Sequence, residues 1–267
     1  MEIRVLRYFL AVAREETISA AAESLHVTQP TLSRQLMELE EELGKTLFTR
    51  GNRKIELTEE GMILRKRAEE IVELLEKTRA EVSVSSKEVS GDIYIGGAET
   101  DGLRFLTRIM KELQENYPQI VFRIYSGNAE EITERLDRGL LDFGIFLEPA
   151  NMSKYDFIKL PGQDVWGVLM RKDSPLSQKK VVRAKDLFGL PLIISDQAMV
   201  KNEISGWAGG RYDKMNIVAT YNLLFNASLM VEEGVGYALG LDKIIRTSED
   251  SPLCFRPLEP KLEVGLN

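Results

Sequence analysis

Long apolar runs, cysteine and histidine are all scarce in this 267-residue chain. None of its apolar runs approaches the ~20 residues that a membrane-spanning helix needs, and no apolar signal-peptide core opens the chain. The one cysteine, Cys254, excludes an intrachain disulfide, which is typical of a reducing compartment. These absences predict a cytoplasmic protein with no membrane partner.

Catalytic and cofactor-binding motifs are also missing. The one histidine, His26, lies between two predicted helices, where packing is its expected role. No Cys/His pair, metal-ligand cluster, glycine-rich phosphate loop or GxSxG motif occurs in the sequence. We therefore expect no catalytic residue, no metal and no cofactor. The alternative is an α/β enzyme or solute-binding module with a helical appendage, and a turnover screen against common metabolites would test for the enzyme.

Charge is abundant but has an acidic excess. The chain is 43% hydrophobic and 29% charged, the balance of a well-cored protein with room for two or three domains. Its net charge of −7 at first disfavours a nucleic-acid partner, but the distribution of charge matters more than the sum. The cations that we expect on a DNA-facing side are Arg34, Arg50, Arg53 and Lys54. We expect non-specific DNA affinity to be modest and to fall with salt.

A helix with an outward polar face is predicted from Thr28 to Leu43. Thr28 can cap its start, and Pro30 in the first turn removes no intrahelical hydrogen bond. Leucines recur at spacings of four and three, which gives one apolar stripe for a core: Leu32, Leu36, Leu39 and Leu43. Short polar and positive side chains at a helix start suit the DNA major groove. The predicted DNA contacts of this helix are Thr28, Gln29, Pro30, Thr31, Ser33 and Arg34.

Flanking elements make this helix part of a larger unit. One helix is predicted over Ile3–Glu15, with a core face of Leu6, Phe9, Leu10 and Ala13, and a second over Ala20–Leu25, capped by Ser19. Two helices joined by a short turn form a helix-turn-helix, although an ordinary helical hairpin fits the spacing equally well. Residues 47–57 predict a hairpin that turns at Gly51-Asn52. We expect Arg53 and Lys54 in this wing to touch phosphate or the minor groove, unless the turn is only a solvated basic one.

Five runs in the first 61 residues share one family pattern: LRYFLAVA (6–13), AAESLHVTQPTLSRQ (21–35), LEEELG (39–44), LFTR (47–50) and LTEEG (57–61). They resemble the LysR-type transcriptional regulators. The resemblance implies a winged helix-turn-helix domain over 1–58 that binds double-stranded operator DNA, a linker helix and hinge over 59–90, and an effector-binding domain over 91–267. RNA polymerase is a further candidate partner. A pure protein-interaction scaffold is disfavoured by the outward Arg34 and the basic wing.

A long helix with a heptad seam is predicted from Thr58 to about Ser85. The predicted seam residues are Leu64, Ala68, Ile71, Leu75, Thr78 and Val82. Because the flanks of this seam are charged, it predicts dimerisation through the same helix of a second subunit, and packing against its own domain is the alternative. We expect a homodimer or homotetramer. Residues 83–90 are then a polar hinge.

From Gly91 onward, short apolar runs alternate with helical ones, which predicts a parallel α/β sheet. We expect a first lobe over about 91–160 plus 236–267 and a second lobe over about 161–235. The runs GLLDFG (139–144) and VEEGVGYA (231–238) resemble the family's effector domain, which is similar to periplasmic binding proteins, two α/β lobes around a cleft. The chain stops at Asn267, where relatives normally continue through a strand and a helix, so an uncovered edge of the first lobe is expected.

Polar residues after the predicted strands indicate where a small-molecule effector would bind, because ligands of open α/β sheets lie beyond the carboxyl ends of the strands. The predicted effector contacts are Glu99, Thr100, Asp101, Ser126, Asn128, Glu148, Ser195, Gln197, Tyr221 and Asn222. The resemblance implies hydrogen bonds from positions like Thr100 and Ser195 to the effector, whereas helix capping is the alternative for Thr100, Ser195 and Asn222. The acidic members, beside Arg104 as the one obvious cation, would repel a bare anion. We therefore predict a neutral, zwitterionic or amine-bearing effector, with an unoccupied pocket as the alternative.

Overall fold

The structure, a computed structural model, describes residues 1–50, 54–83 and 89–267, and the side chains of all of these except 50, 83 and 198–201. The chain divides into two units, Met1–Glu88 and Val89–Asn267. Within the described ranges, no helix is both long and apolar enough to cross a membrane.

The first unit is helical with one short hairpin. Its elements are α1 (Ile3–Glu15), α2 (Ile18–Ser24), α3 (Gln29–Leu43), β1 (Phe48–Arg50), β2 (Ile55–Leu57) and α4 (Glu59–Ser83). Local signals set the bounds of α3, because the Thr28 side chain accepts a hydrogen bond from the Thr31 backbone and Gly44 takes the left-handed conformation after the last turn, with φ 62°. The prediction for α2 was wrong at its start, since Thr17 rather than Ser19 provides the cap by accepting from Ala20 N at 3.2 Å.

The core of this unit lies where α1 packs against α2, α3 and α4. Being enclosed by three helices, α1 buries a wider face than predicted: Ala11 and Val12 are buried, whereas Leu10 and Ala13 are only half-buried. The apolar stripe of α3 ends one turn early, because Leu43 is 40% exposed. The packing role expected for His26 was also wrong, since this residue is exposed and its φ of 55° places it in a left-handed turn between α2 and α3.

The second unit consists of two lobes. Its elements are β3 (Gly91–Gly97), α5 (Leu103–Asn116), β4 (Ile120–Ser126), α6 (Ala129–Asp137), β5 (Phe143–Ile145), β6 (Leu160–Arg171), β7 (Val182–Arg183), α7 (Ala184–Leu187), β8 (Pro191–Ser195), α8 (Ala198–Trp207), β9 (Asn216–Tyr221), α9 (Leu224–Glu232), β10 (Tyr237–Leu241), β11 (Leu253–Glu259) and β12 (Glu263–Leu266). In the first lobe, β3 pairs in parallel with β4 on one side and β5 on the other, as predicted. The helix α8 was not predicted.

The second lobe has a mixed sheet of order β7-β11-β6-β10-β8-β9, with β12 paired to β6. The prediction that 236–267 returns to the first lobe was therefore wrong for β10 and β11, which pair on either side of β6. The end of β12 pairs with the first lobe, where Leu266 lies opposite Leu147 and Asn267 pairs with Phe146. The edge expected to be uncovered is thus paired at this end. The pattern of a short apolar strand does not name its neighbour, because strand pairing is non-local.

Candidate functional site

The first half of α3 presents the predicted polar residues to solvent. Thr28, Gln29, Pro30 and Thr31 are exposed, whereas Ser33 is half-buried. The Thr28 and Thr31 hydroxyl oxygens lie 2.8 Å apart and bond to each other, so these two groups are partly occupied at the helix start. Gln29 makes no side-chain hydrogen bond with the described residues and is free to reach a base edge.

Arg34 is the exposed cation of α3. Its side chain is 70% exposed, and its Nε lies 3.7 Å from Glu38 Oε1, one turn along the helix. Such an exposed pair stabilises a helix by only about 0.3–0.5 kcal/mol, so the guanidinium can leave it for a guanine edge or a phosphate at little cost. The nearby Glu40 has a structural role instead, because its Oε1 accepts from Leu47 N at 2.6 Å and holds the start of the wing.

The wing is an antiparallel hairpin in which Arg50 lies opposite Ile55. Its turn, with Arg53, and the Arg50 side chain lie outside the described residues, so these two predicted contacts stay predictions. Lys54 is exposed and forms an ion pair with Glu16, whose carboxylate raises the pKa of Lys54 by hydrogen bonding and by its charge. Ile55 N donates to Glu16 O at 2.8 Å. The Glu16 backbone therefore holds the second strand of the wing, and its carboxylate pairs with the wing cation Lys54.

The predicted seam of α4 divides into two faces. Ala68 is fully buried and Leu64 packs against the same core, so these two residues hold α4 to its own domain and are not available to a partner. Leu75 is half-buried. The exposed stripe that remains has spacings of three, four and four residues, and we call it the free stripe: Ile71, Leu74, Thr78 and Val82. Leu74 was not predicted.

Thr100 bonds within the fold of the second unit. Its hydroxyl donates to Asp164 Oδ2 and accepts from Gly102 N at 3.0 Å in the turn before α5. This is not the capping alternative, because no side chain caps the start of α5. Asp164 is 3% exposed, and burial raises the pKa of this carboxyl, assisted by the charges of Asp242 and Asp101, while the Thr100 hydrogen bond opposes the rise. Thr100 therefore tethers the loop after β3 to the start of β6.

The acidic residues of the predicted site have partners. Glu99 Oε2 accepts from Leu224 N at 2.7 Å, at the start of α9 in the other lobe. Asp101 pairs with Arg104 at 2.5 Å. Lys159 lies 2.7 Å from Glu148, and its hydrogen bond lowers the pKa of that carboxyl. Arg104 is thus not the only cation at these carboxylates, and two of the three, Asp101 and Glu148, form an ion pair.

Backbone and side-chain partners inside the fold occupy most of the remaining predicted residues. Asn128 caps α6 by accepting from Glu131 N at 2.9 Å. Tyr221 donates its hydroxyl proton to Leu239 O at 2.6 Å, and burial raises the pKa of Tyr221. Ser195 Oγ accepts from the Gln197 backbone and side chain, both at 3.4 Å. Asn222 accepts from Leu223 N at 2.9 Å, and Ser126 is exposed at the end of β4.

Three of the cavities formed by the described residues lie around these loops, and each is lined by a different set of the predicted residues. A cavity of about 380 Å³ at the carboxyl ends of β3 and β4 is lined by Glu99, Thr100, Asp101 and Ser126, among others. Two cavities of about 40 Å³ each lie between the lobes and share Ala98, Leu147, Trp166 and Gln197. One of these two also has Glu148 and Glu203 in its wall, and the other has Glu99, Ser195, Tyr221 and Asn222. Asn128 lines none of the three.

Trp166 and Glu203 are cleft residues with polar groups that the sequence analysis missed. Trp166 lies within a predicted strand, but a strand buried on both faces has a nearly continuous apolar pattern, so the pattern did not show that the indole lines a cleft. Glu203 lies on α8, which has only a weak amphipathic signal and was not predicted.

Comparison with known proteins shows what the whole chain resembles. Residues 3–62 match the family described as bacterial regulatory helix-turn-helix protein, lysR family, and residues 86–266 match the LysR substrate binding domain. The HTH-type transcriptional regulator BsdA of Bacillus subtilis is 33% identical over 198 residues, which cover 73% of this chain and 67% of BsdA. The DNA-binding transcriptional dual regulator OxyR of Escherichia coli is 30% identical over 276 residues, covering 100% and 88% of the two chains.

Solved structures share this fold over the whole length. CbnR, a LysR family transcriptional regulator, superposes with a TM-score of 0.76 at 20% identity, covering 100% of this chain and 92% of CbnR. Full-length CbnR complexed with its target DNA gives a TM-score of 0.74 at 21% identity, with the same coverage.

Proposed function

The chain belongs to the LysR family of bacterial transcriptional regulators, and we propose that it reads its operator with Gln29 and Arg34 of α3. It is a DNA-binding regulator with an effector-binding domain, not an enzyme. The observation that carries the proposal is the contrast on α3 between the buried Leu32 face and the exposed first half. There, among the described residues, Gln29 has no side-chain partner and Arg34 has a weak one. The groups of these two side chains match adenine and guanine edges in the major groove.

We propose that two copies of the chain associate through the free stripe of α4. A stripe with Ile71 at 39% and Val82 at 82% exposure, on a helix with charged flanks, is expected to pack against an equivalent helix. A two-fold dimer would present two α3 helices to two half-sites, and two such dimers would form a tetramer. Contact with RNA polymerase stays a prediction from the family resemblance.

We infer that a small-molecule effector binds between the two lobes and regulates the protein. The cleft there is lined from both lobes, by Leu147 on one side and Ser195 on the other, so its occupancy can change how the lobes are held. A cysteine-based response to peroxide has less support, although the relatives include hydrogen peroxide-inducible genes activators. Burial raises the pKa of Cys254, so this thiol has little of the thiolate that oxidation requires.

Selection of genomic DNA fragments by the purified protein tests the operator proposal. The wild-type protein should enrich a small set of fragments, and a variant with Gln29→Ala and Arg34→Ala should lose that enrichment while keeping weak, salt-sensitive binding to all DNA. The matched control is Arg4→Ala on α1, because Arg4 is similarly exposed and also pairs with a neighbouring glutamate. Equal enrichment by the double variant would contradict the assignment of α3 as the reading helix.

A further inference from the structure

The cleft contains a buried indole N–H for which the described part of the chain offers no partner. Trp166 is 4% exposed and lines both of the 40 Å³ cavities, and its Nε1 makes no hydrogen bond with any residue that the structure describes. The other tryptophan behaves as buried or packed indoles usually do, because Trp207 Nε1 donates to Pro260 O at 2.8 Å. A buried donor without a partner destabilises a fold, so this N–H, on a side chain that lines both cavities, is a candidate donor to a ligand that enters the cleft.

A carboxylate that pairs with none of the described residues lies in the wall of the same cavity. Glu203, on α8, is half-buried and makes no ion pair or hydrogen bond within the described part of the chain. The other cleft carboxylates differ, because Glu99 accepts from a helix start and Glu148 pairs with Lys159. One cavity therefore brings together an unused donor and an unused negative charge.

We propose that this cleft binds a small zwitterion of the α-amino-acid type, with its carboxylate on the Trp166 indole N–H and its ammonium group on Glu203. The inference rests on the proposed function, because it names the ligand class of the effector site. A simple carboxylate would leave Glu203 unpaired, and a simple amine would leave the indole unpaired. Gln197 lines the same cavity. Among the described residues its Nε2 donates to Ser195 alone, so the second N–H of the amide is a further donor for a carboxylate.

The volume of the cleft restricts the size of the ligand. Each of the two cavities, at about 40 Å³, holds a few water-sized groups, and Trp166 stands in the wall of both. The two charged groups of an amino acid with a short side chain are of this scale. Glycine, alanine and serine are therefore the first ligands to test.

Tryptophan fluorescence gives a direct readout, because the chain has two tryptophans and Trp207→Phe leaves Trp166 as the only one. The variant and the wild-type protein are titrated with each proteinogenic amino acid at millimolar concentration, and with acetate and methylamine as probes that carry one charge each. We expect a saturable change in Trp166 emission with at least one small amino acid and no saturable change with either probe. No response to any amino acid, or an equal response to acetate alone, would overturn the inference.

Substitutions in the cleft separate the two contacts. Glu203→Gln and Trp166→Phe should each weaken amino-acid binding measured by calorimetry by about 10- to 100-fold, the range expected for a hydrogen bond to a charged group. Glu112→Gln is the matched control, since Glu112 is an exposed carboxylate on α5 that lines none of these cavities. An unchanged affinity in Glu203→Gln would show that Glu203 does not bind the ammonium group and would overturn the proposal.

Operator binding by the same preparations distinguishes this inference from the proposed function. Specific DNA binding without any amino-acid binding overturns the inference and leaves the proposed function standing. Amino-acid binding without specific DNA binding supports the inference about the cleft and contradicts the operator proposal.

Discussion

Polar side chains near the starts of helices have different roles in the two units of this chain. At the start of α3, one residue, Thr28, provides the cap, and the side chains of Gln29 and Arg34 extend into solvent. In the second unit, Asn128 caps α6 and Glu99 accepts from the start of α9, so similar residue types are consumed by backbone groups. The start of α3 is capped by its own Thr28, whereas the start of α9 has no cap of its own and is satisfied by Glu99 from a strand-end loop. A polar residue at a helix start is thus available to a ligand only where the local backbone is already satisfied.

The largest effect should come from charge placed in the free stripe of α4. Ile71→Asp with Leu74→Asp would bury unpaired carboxylates in the proposed subunit interface, so we expect the oligomer to dissociate and operator affinity to fall by orders of magnitude. Sedimentation velocity at micromolar concentration measures this, with Met62→Asp, exposed on a different face of α4, as the control. An intact oligomer in the double variant would show that subunits associate through another surface.

Removal of the Arg34 guanidinium should have the next largest effect. Arg34→Ala should weaken specific operator binding by roughly 1–3 kcal/mol if the side chain reads a base edge, with little change in binding to random DNA. Fluorescence anisotropy with the selected operator and a scrambled duplex gives both affinities, and Arg4→Ala serves as the control. If specific and random binding fall together, Arg34 contacts phosphate instead.

Thr100→Val tests the second unit, where the polar group forms hydrogen bonds within the fold instead of facing solvent. Asp164 would lose its hydroxyl donor, so we expect the free energy of unfolding to fall by roughly 1–2 kcal/mol at about pH 7. The Thr100 hydrogen bond lowers the pKa of Asp164, whereas burial raises it, so this bond stabilises only the ionised carboxylate. The loss should therefore shrink as the pH falls through the raised pKa of Asp164 and the carboxyl becomes protonated.

Urea unfolding of the full chain at several pH values measures this loss. Thr107→Val is the control, because its hydroxyl is exposed and donates only to Arg104 O within α5. A loss of stability that does not depend on pH would separate Thr100 from Asp164.

The smallest effect should come from the wing. Lys54→Ala should weaken binding to all DNA sequences about equally and reduce the salt slope by about one or less, because Glu16 already neutralises part of this charge. Glu16→Gln should act in the opposite direction by releasing Lys54. Salt titrations of DNA affinity for both variants check this, and equal slopes for all three proteins would mean that Lys54 does not contact DNA.

Elements with local signals were predictable from the sequence. The bounds of α3 agree with the structure because its caps, Thr28 and Gly44, act within a few residues of the backbone groups that they satisfy. The bounds of α1 also agree, although no side chain caps its start. The parallel order of the first lobe follows in the same way from alternating strands and helices. The exposed residues of α3 could be named because helical periodicity decides which side chains face outward.

Features that depend on distant parts of the chain were not predictable in this way. The heptad spacing of α4 is real, but only the packing of α1 shows that Ala68 faces its own domain. The strands β10 and β11 could not be assigned to a lobe before their pairing with β6 was known. The hydrogen bond from Thr100 to Asp164 joins residues 64 positions apart, and no local sequence pattern indicates it.

The hydrogen bond from Leu224 N to Glu99 joins the two lobes across the cleft, and this has a kinetic consequence. The cavity of about 40 Å³ that Glu99 and Leu224 line also has Trp166 in its wall, so a solute larger than this volume fits there only when the contact between Glu99 and Leu224 parts. Association must then wait for this contact to part, so its observed rate levels off at high solute concentration instead of rising in proportion. Two proteins with equal equilibrium affinity for an effector can therefore respond at very different speeds. In this chain we expect the rate to be limited by breaking the hydrogen bond from Leu224 N to the Glu99 carboxylate.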